Sequence, residues 1–150
     1  MLLSTKILVS CIALILSGCY SIKMVKLGTV IKDNKTIEVP ATGFSTMDIK
    51  SALAQDGWKI KVANENVQRN RLDSSNPKID AKNQYDAGYR LLISESVRNN
   101  QWVIGISASV IDNKTNDEIF NMYCDSKGLG GCFPDDVAME LVKELKTIEK

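Results

Sequence analysis

The chain has 150 residues, 44% of them hydrophobic, with 19 Lys and Arg against 18 Asp and Glu. That is enough for one core of ordinary size, and the charge is too balanced for the clustered basic face that nucleic acid requires. Histidine is absent, which removes the base of Ser-His-Asp and Cys-His nucleophile systems and the ligands of His-rich zinc sites. Serine–lysine chemistry also lacks a setting, since Ser126 and Lys127 are adjacent and Thr46 to Lys50 has the wrong offset. The expectation is a non-enzymatic protein with no catalytic residue, no metal site and no cofactor.

The first distinctive segment is the start. Met1 and Lys6 form a short positive end, and the nine residues Ile7 to Ile15 are mostly apolar. A permanent membrane helix needs about 20 apolar residues, so this stretch is too short to span and fits a signal peptide. Behind it, Leu16-Ser17-Gly18-Cys19 resembles the lipobox of bacterial lipoproteins. The resemblance implies cleavage before Cys19, a diacylglyceryl thioether on that cysteine and usually an acylated new amino terminus. It divides the chain into a removed signal at 1–18, a tether at 19–27 and a single domain at 28–150. Two or three acyl chains hold a protein to a membrane essentially permanently. In the lipoprotein family an Asp after the cysteine favours inner-membrane retention; here Tyr20-Ser21 follows, which implies delivery to the outer membrane, facing the periplasm.

Leu27 to Ile31 and Thr36 to Val39 are β-prone runs on either side of Lys32-Asp33-Asn34-Lys35, and they predict an edge hairpin ended by Pro40. Ser45 is the expected N-cap of a helix from about Thr46 to Gln55, with Asp48 completing a variant capping box and Phe44 and Ile49 a hydrophobic staple. Ile49, Ala52 and Leu53 should face inward, and Gly57 should supply the left-handed residue that stops the helix. Trp58, Ile60 and Val62 alternate with Lys59 and Lys61 as in a half-buried strand. Trp58 is read as core, with a binding platform as the competing reading. From Ala63 to Gln84 the chain is polar, either a long excursion or a recognition loop.

Tyr89 to Val97, Trp102 to Ile111 and Glu118 to Tyr123 predict three sequential strands of an antiparallel meander, with turns at Arg98 to Gln101 and Asp112 to Asp117. Trp102, Ile104, Ile106, Ala108 and Val110 should share the packed face. Gly105, Ser107 and Ser109 keep the opposite face small and polar, open to solvent or a partner. Cys11 falls in the removed signal and Cys19 takes the lipid, so Cys124 and Cys132 remain as a pair in an oxidising compartment. A structural disulfide across the Gly-rich loop should contribute roughly 2 to 3 kcal/mol. A redox dithiol or half of a metal site is the alternative, but the spacing is not C-x-x-C. A phosphate cradle is disfavoured by Asp135 and Asp136, which look like helix-starting residues. In the last helix, Val137, Ala138, Leu141, Val142, Leu145 and Ile148 form an apolar stripe, suited to packing on a sheet better than to a membrane surface.

Together these elements predict an α+β fold, a mainly antiparallel sheet of about four to five strands with two helices packed on one face. The order of elements is similar to the small α/β domains of several outer-membrane lipoproteins, among them activators of peptidoglycan synthases and secretion-associated lipoproteins. Tyr123, Asp125 and Gly130-Gly131 ahead of Glu140-Leu141-Val142-Lys143-Glu144-Leu145 resemble the closing segment of a proteobacterial lipoprotein family, over about the last sixty residues. In that family an Asp directly follows the Tyr, whereas Cys124 intervenes here. The functional expectation is a lipid-anchored accessory module that binds another envelope protein. The alternative is a small-ligand or glycan-binding lipoprotein, with Trp58, Trp102, Ser107 and Ser109 as the candidate binding surface.

Overall fold

The computed structural model describes residues 20–63, 87–98, 102–126 and 131–150, with the backbone alone at Arg98 and Trp102. The signal at 1–18, Cys19 and positions 64–84 of the polar stretch lie outside the described residues. In chain order the elements are strand β1 (Tyr20–Lys26), a 3-10 turn (Lys32–Asn34), β2 (Thr36–Val39), helix α1 (Thr46–Gln55), β3 (Lys59–Val62), β4 (Tyr89–Arg98), β5 (Trp102–Asp112), β6 (Glu118–Ser126) and helix α2 (Pro134–Thr147). They form one six-stranded sheet in the order β1-β6-β5-β4-β2-β3.

The α+β class holds, but the sheet has more strands than expected and is mixed. β4, β5, β6 and β1 are antiparallel neighbours, whereas β2 runs parallel to both β3 and β4. For β2 and β3 the physical reason is α1: a helix between them returns the chain to the same end of the sheet, so β3 runs parallel to β2.

Two further corrections sit at the amino-terminal side. Tyr20 to Lys26, expected as tether, is the edge strand β1, with Tyr20 opposite Ser126 and Lys26 opposite Phe120. Its alternation of Tyr20, Ile22 and Met24 with Ser21, Lys23 and Val25 sends the first set onto the core. The expected hairpin of Leu27 to Ile31 with Thr36 to Val39 does not form. Leu27 and Gly28 instead donate to the Ile119 carbonyl, and Val30 exchanges backbone bonds with Ile148 and Lys150. The carboxy-terminal residues therefore supply the partner that β2 was expected to supply.

Both helices cover the same face. Ile49 and Leu53 of α1 and Val137, Leu141 and Leu145 of α2 are fully buried against Ile37, Val39, Leu91, Ile106, Val110, Phe120 and Met122. Burying a side chain of this kind contributes roughly 1.5–3 kcal/mol, so this layer dominates the stability. α1 stops as its sequence predicts. Gly57 has φ +84°, its N–H donates to the Ala54 carbonyl, and the Trp58 N–H donates to the Leu53 carbonyl. These two bonds form a Schellman closure.

The other end of α1 departs from expectation. Ser45 has helical backbone angles and makes no capping bond to its own helix. Phe44 is exposed, so there is no staple against Ile49. The cap comes from Glu95 on β4, whose carboxylate accepts the N–H of Phe44 at 3.0 Å, the N–H of Ser45 at 2.6 Å and the Ser45 hydroxyl. At α2 the N-cap is Phe133, with Pro134 opening the helix and Asp135 and Asp136 in the first turn, favourably placed at the positive end of the dipole.

Candidate functional site

One face of the sheet carries no helix among the described residues. Strand alternation places Leu92, Ser94 and Ser96 of β4 on it, paired with Ser109, Ser107 and Gly105 of β5. Those pair in turn with Asn121, Tyr123 and Asp125 of β6, and β1 adds Val25, Lys23 and Ser21. Among the described residues nothing packs over this surface. Leu92 and Tyr123 are 43% and 42% exposed on it. The Tyr123 hydroxyl comes within 3.5 Å of the point where a Cβ on Gly105 would stand, so the ring leans across the glycine and shields its backbone. Asn121 donates to the Ser109 hydroxyl at 2.7 Å and to Glu118 at 3.0 Å, which fixes the orientation of its amide.

The expected small, polar face containing Gly105, Ser107 and Ser109 is therefore present. Chemically it offers serine hydroxyls and an amide around the exposed Leu92, Tyr123 and Val25, a composition suited to hydrogen bonding and packing against a surface.

Trp58 is not on this face. It is 3% exposed, packs edge-on to Tyr89 with ring centroids 5.7 Å apart, and has the Lys35 ammonium 5.8 Å from its ring. It begins the turn into β3, where the Schellman closure folds its side chain into the core, so it is no surface platform. The indole N–H finds no partner among the described residues. The Trp102 side chain lies outside the described residues; its strand carries a bulge, Ser96 facing Gly105 and Val97 facing Val103. The extra residue, Ile104, breaks the expected alternation from Trp102 to Val110.

Cys124 and Cys132 are joined by a disulfide, with Cα atoms 6.1 Å apart. Both are buried, Cys124 completely. The Cys132 N–H donates to the Val103 carbonyl, so the bridge fastens the start of α2 to β5 and β6.

Charged groups gather at the opposite end of the helices, a cluster with no local signal in the sequence. Lys35, just before β2, pairs with Asp56 at 3.1 Å and with Glu149, while Lys146 reaches Asp56 at 2.6 Å. Burial pushes the Asp56 carboxyl up, but hydrogen bonds from Lys146 and Lys35 outweigh it and hold the group below its ordinary value. Burial pushes Lys35 down, and its bonds to Glu149 and Asp56 reverse that and raise it. Glu95 follows the same logic, with burial overcome by the Ser45 and Phe44 donors, so its carboxyl titrates low. Lys26 pairs with Glu144 at 2.6 Å and holds that carboxyl down, joining β1 to α2.

A shallow groove of 470 Å³ separates α1 from α2, lined by Ala52, Gln55, Asp56, Met139, Val142, Lys143 and Lys146. Among the described residues no helix is long and apolar enough to cross a membrane, and no cluster of three or more His, Cys, Asp or Glu side chains could hold a metal ion.

No protein-family model matches the chain, and no curated protein matches it. Similar solved structures include the PelC dodecamer from Paraburkholderia phytofirmans and a variant of that dodecamer in a second crystal form. Each is 11% identical, with a TM-score of 0.48, over 87% of this chain and 98% of the other. A likeness at this level carries no statement about function.

Proposed function

We propose that this chain is a lipid-anchored protein of the bacterial outer membrane, facing the periplasm, that works without catalysis by binding another envelope protein. The observation that supports this reading is the sheet face left uncovered by the described residues, where Leu92 and Tyr123 stand exposed among Ser94, Ser107, Ser109 and Asn121. A mixed apolar and hydrogen-bonding surface of this kind suits a protein contact, which combines packing with about one hydrogen bond per 100–200 Å². The lipobox supplies the anchor, on Cys19, and the buried disulfide fits an oxidising compartment. The burial of Trp58 removes one of the two aromatic platforms on which the glycan-binding alternative depends.

Photocrosslinking in intact cells tests the proposal. A benzoylphenylalanine at Ser107 should give a discrete adduct with another envelope protein, and the additional change Tyr123→Ala should reduce its yield. A crosslinker at Ser107 that captures no protein neighbour would sink the reading.

A further inference from the structure

The end of the domain at which the chain enters carries exposed aromatic side chains that its core does not use. Cys19 precedes Tyr20, the first residue of β1, so the anchor arrives at the tip of that strand with no intervening linker. At the same tip, Tyr20 donates to Asp136 at 2.8 Å and its ring lies 6.3 Å from that of Phe133. The sheet register carries this end across from Ile22 to Cys124, Ile106 and Glu95, and Glu95 holds the backbone of Phe44. Both helices thus begin at the anchor end, each with a phenylalanine just ahead of it. Phe44 is 62% exposed and Phe133 51%.

We propose that this end seats in the interfacial layer of the lipid bilayer, with Phe44 and Phe133 entering beside the acyl chains on Cys19. The inference rests on the anchor reading above and adds an orientation to it. Phenylalanine, like Trp and Leu, is a side chain that interfacial segments bury at the boundary between headgroups and acyl chains. A water-exposed ring held beside a lipidated residue meets that boundary at no further cost in chain ordering. The occupant is a bilayer because the chain continues there into the lipidated cysteine. Asp135 and Asp136 at the same end favour a zwitterionic surface over an anionic one. Leu27, just past β1 at the far end of that strand and 59% exposed, should remain in water.

The test uses the full lipidated protein, extracted from bacterial membranes and reconstituted in phosphatidylcholine vesicles with and without brominated acyl chains. Three variants, Phe133→Trp, Phe44→Trp and Leu27→Trp, are each read as a difference from the parent, which contains the two native tryptophans. Blue-shifted, bromolipid-quenched emission at 133 and 44 but not at 27 supports the proposal. Vesicle-bound, lipidated protein whose new tryptophans at 133 and 44 escape bromolipid quenching overturns the orientation alone. This includes a blue shift that grows with protein concentration, the mark of a second copy on this surface. An unmodified Cys19 by mass overturns the anchor reading and the orientation with it.

Discussion

Glu95 offers the sharpest test of how this fold is held. It stands on β4 with the apolar Tyr89, Leu91 and Ile93, on the face that packs against the helices, and ends at α1 as the acceptor of three donors. Ser45 is fully buried, so Glu95→Ala leaves its hydroxyl and N–H without their acceptor. An unsatisfied buried donor costs about 1–3 kcal/mol. Losing a negative charge at a helix start costs about 0.3–1 kcal/mol more. Water entering beside the half-exposed Phe44 backbone recovers part of this, so the expected loss is about 2–4 kcal/mol for alanine. For Glu95→Gln, whose amide keeps one acceptor but turns a donor towards the second N–H, it is about 1–2 kcal/mol.

The assay is urea unfolding of the disulfide-intact protein followed by tryptophan fluorescence. The pH dependence is a second readout. Because the folded carboxyl titrates lower than the unfolded one, its contribution is complete above the unfolded value of about 4.3 and disappears as pH falls through the folded value. The gap between the parent and Glu95→Gln should therefore close on acidification. An alanine variant within about 0.5 kcal/mol of the parent, the range of ordinary surface substitutions, would refute the remote cap. So would a gap that stays constant down to the acid limb.

Reducing the Cys124–Cys132 bridge, which closes a sequence separation of 8 residues, should lower stability by about 2.5 kcal/mol, read as a dithiothreitol-dependent drop in the urea midpoint. Gly57→Ala should cost about 1 kcal/mol, since φ there is +84°, while Gly57→Asn should cost less. Nothing lies within 4 Å of the added Cβ, so a much larger loss would show that the cost is steric. Asp56→Asn should remove part of the acid sensitivity. The charged Asp56 contributes fully above about pH 3.9 and progressively less as pH falls through its depressed folded value, so the stability of the variant should fall less steeply there. A parallel acid limb in parent and variant would count against the Lys35 and Lys146 pairs.

Periodicity made the core legible. The stripe from Val137 to Ile148 and Ile49 and Leu53 of α1 are buried as their spacing predicts, while Ala52 is only half-buried, at the groove beside α2. Gly57 and the cysteine pair were readable because each has a local chemical signature. What escaped the sequence is non-local. β1 alternates as a strand should, but the lipobox-like Leu16-Ser17-Gly18-Cys19 directly ahead of it makes a tether the natural reading, and nothing local shows that the edge of β6 awaits it. The hairpin failed for the same reason, since the partner of Val30 lies at the carboxy terminus. Glu95 did carry a signal, a carboxylate in phase with Tyr89, Leu91 and Ile93, which on a packed face demands donors from elsewhere. The Lys35, Asp56 and Glu149 cluster had none, because its members come from three separate elements. On the face that the described residues leave open, alternation correctly placed Ser107 and Ser109, but Tyr123 was read as the end of a strand and as part of a resemblance, not as a surface contact.

The start of β1 at Tyr20 also sets a working radius. On the proposed acylation of Cys19, immediately ahead of that strand, the fold would have no slack and would behave as a short post planted in the leaflet. The longest described strand, β5, has eleven residues and so spans about 35 Å. On the same proposal, a partner bound along that strand would meet it within about that distance of the lipid, so the neighbours to seek are those that themselves stand close to the membrane.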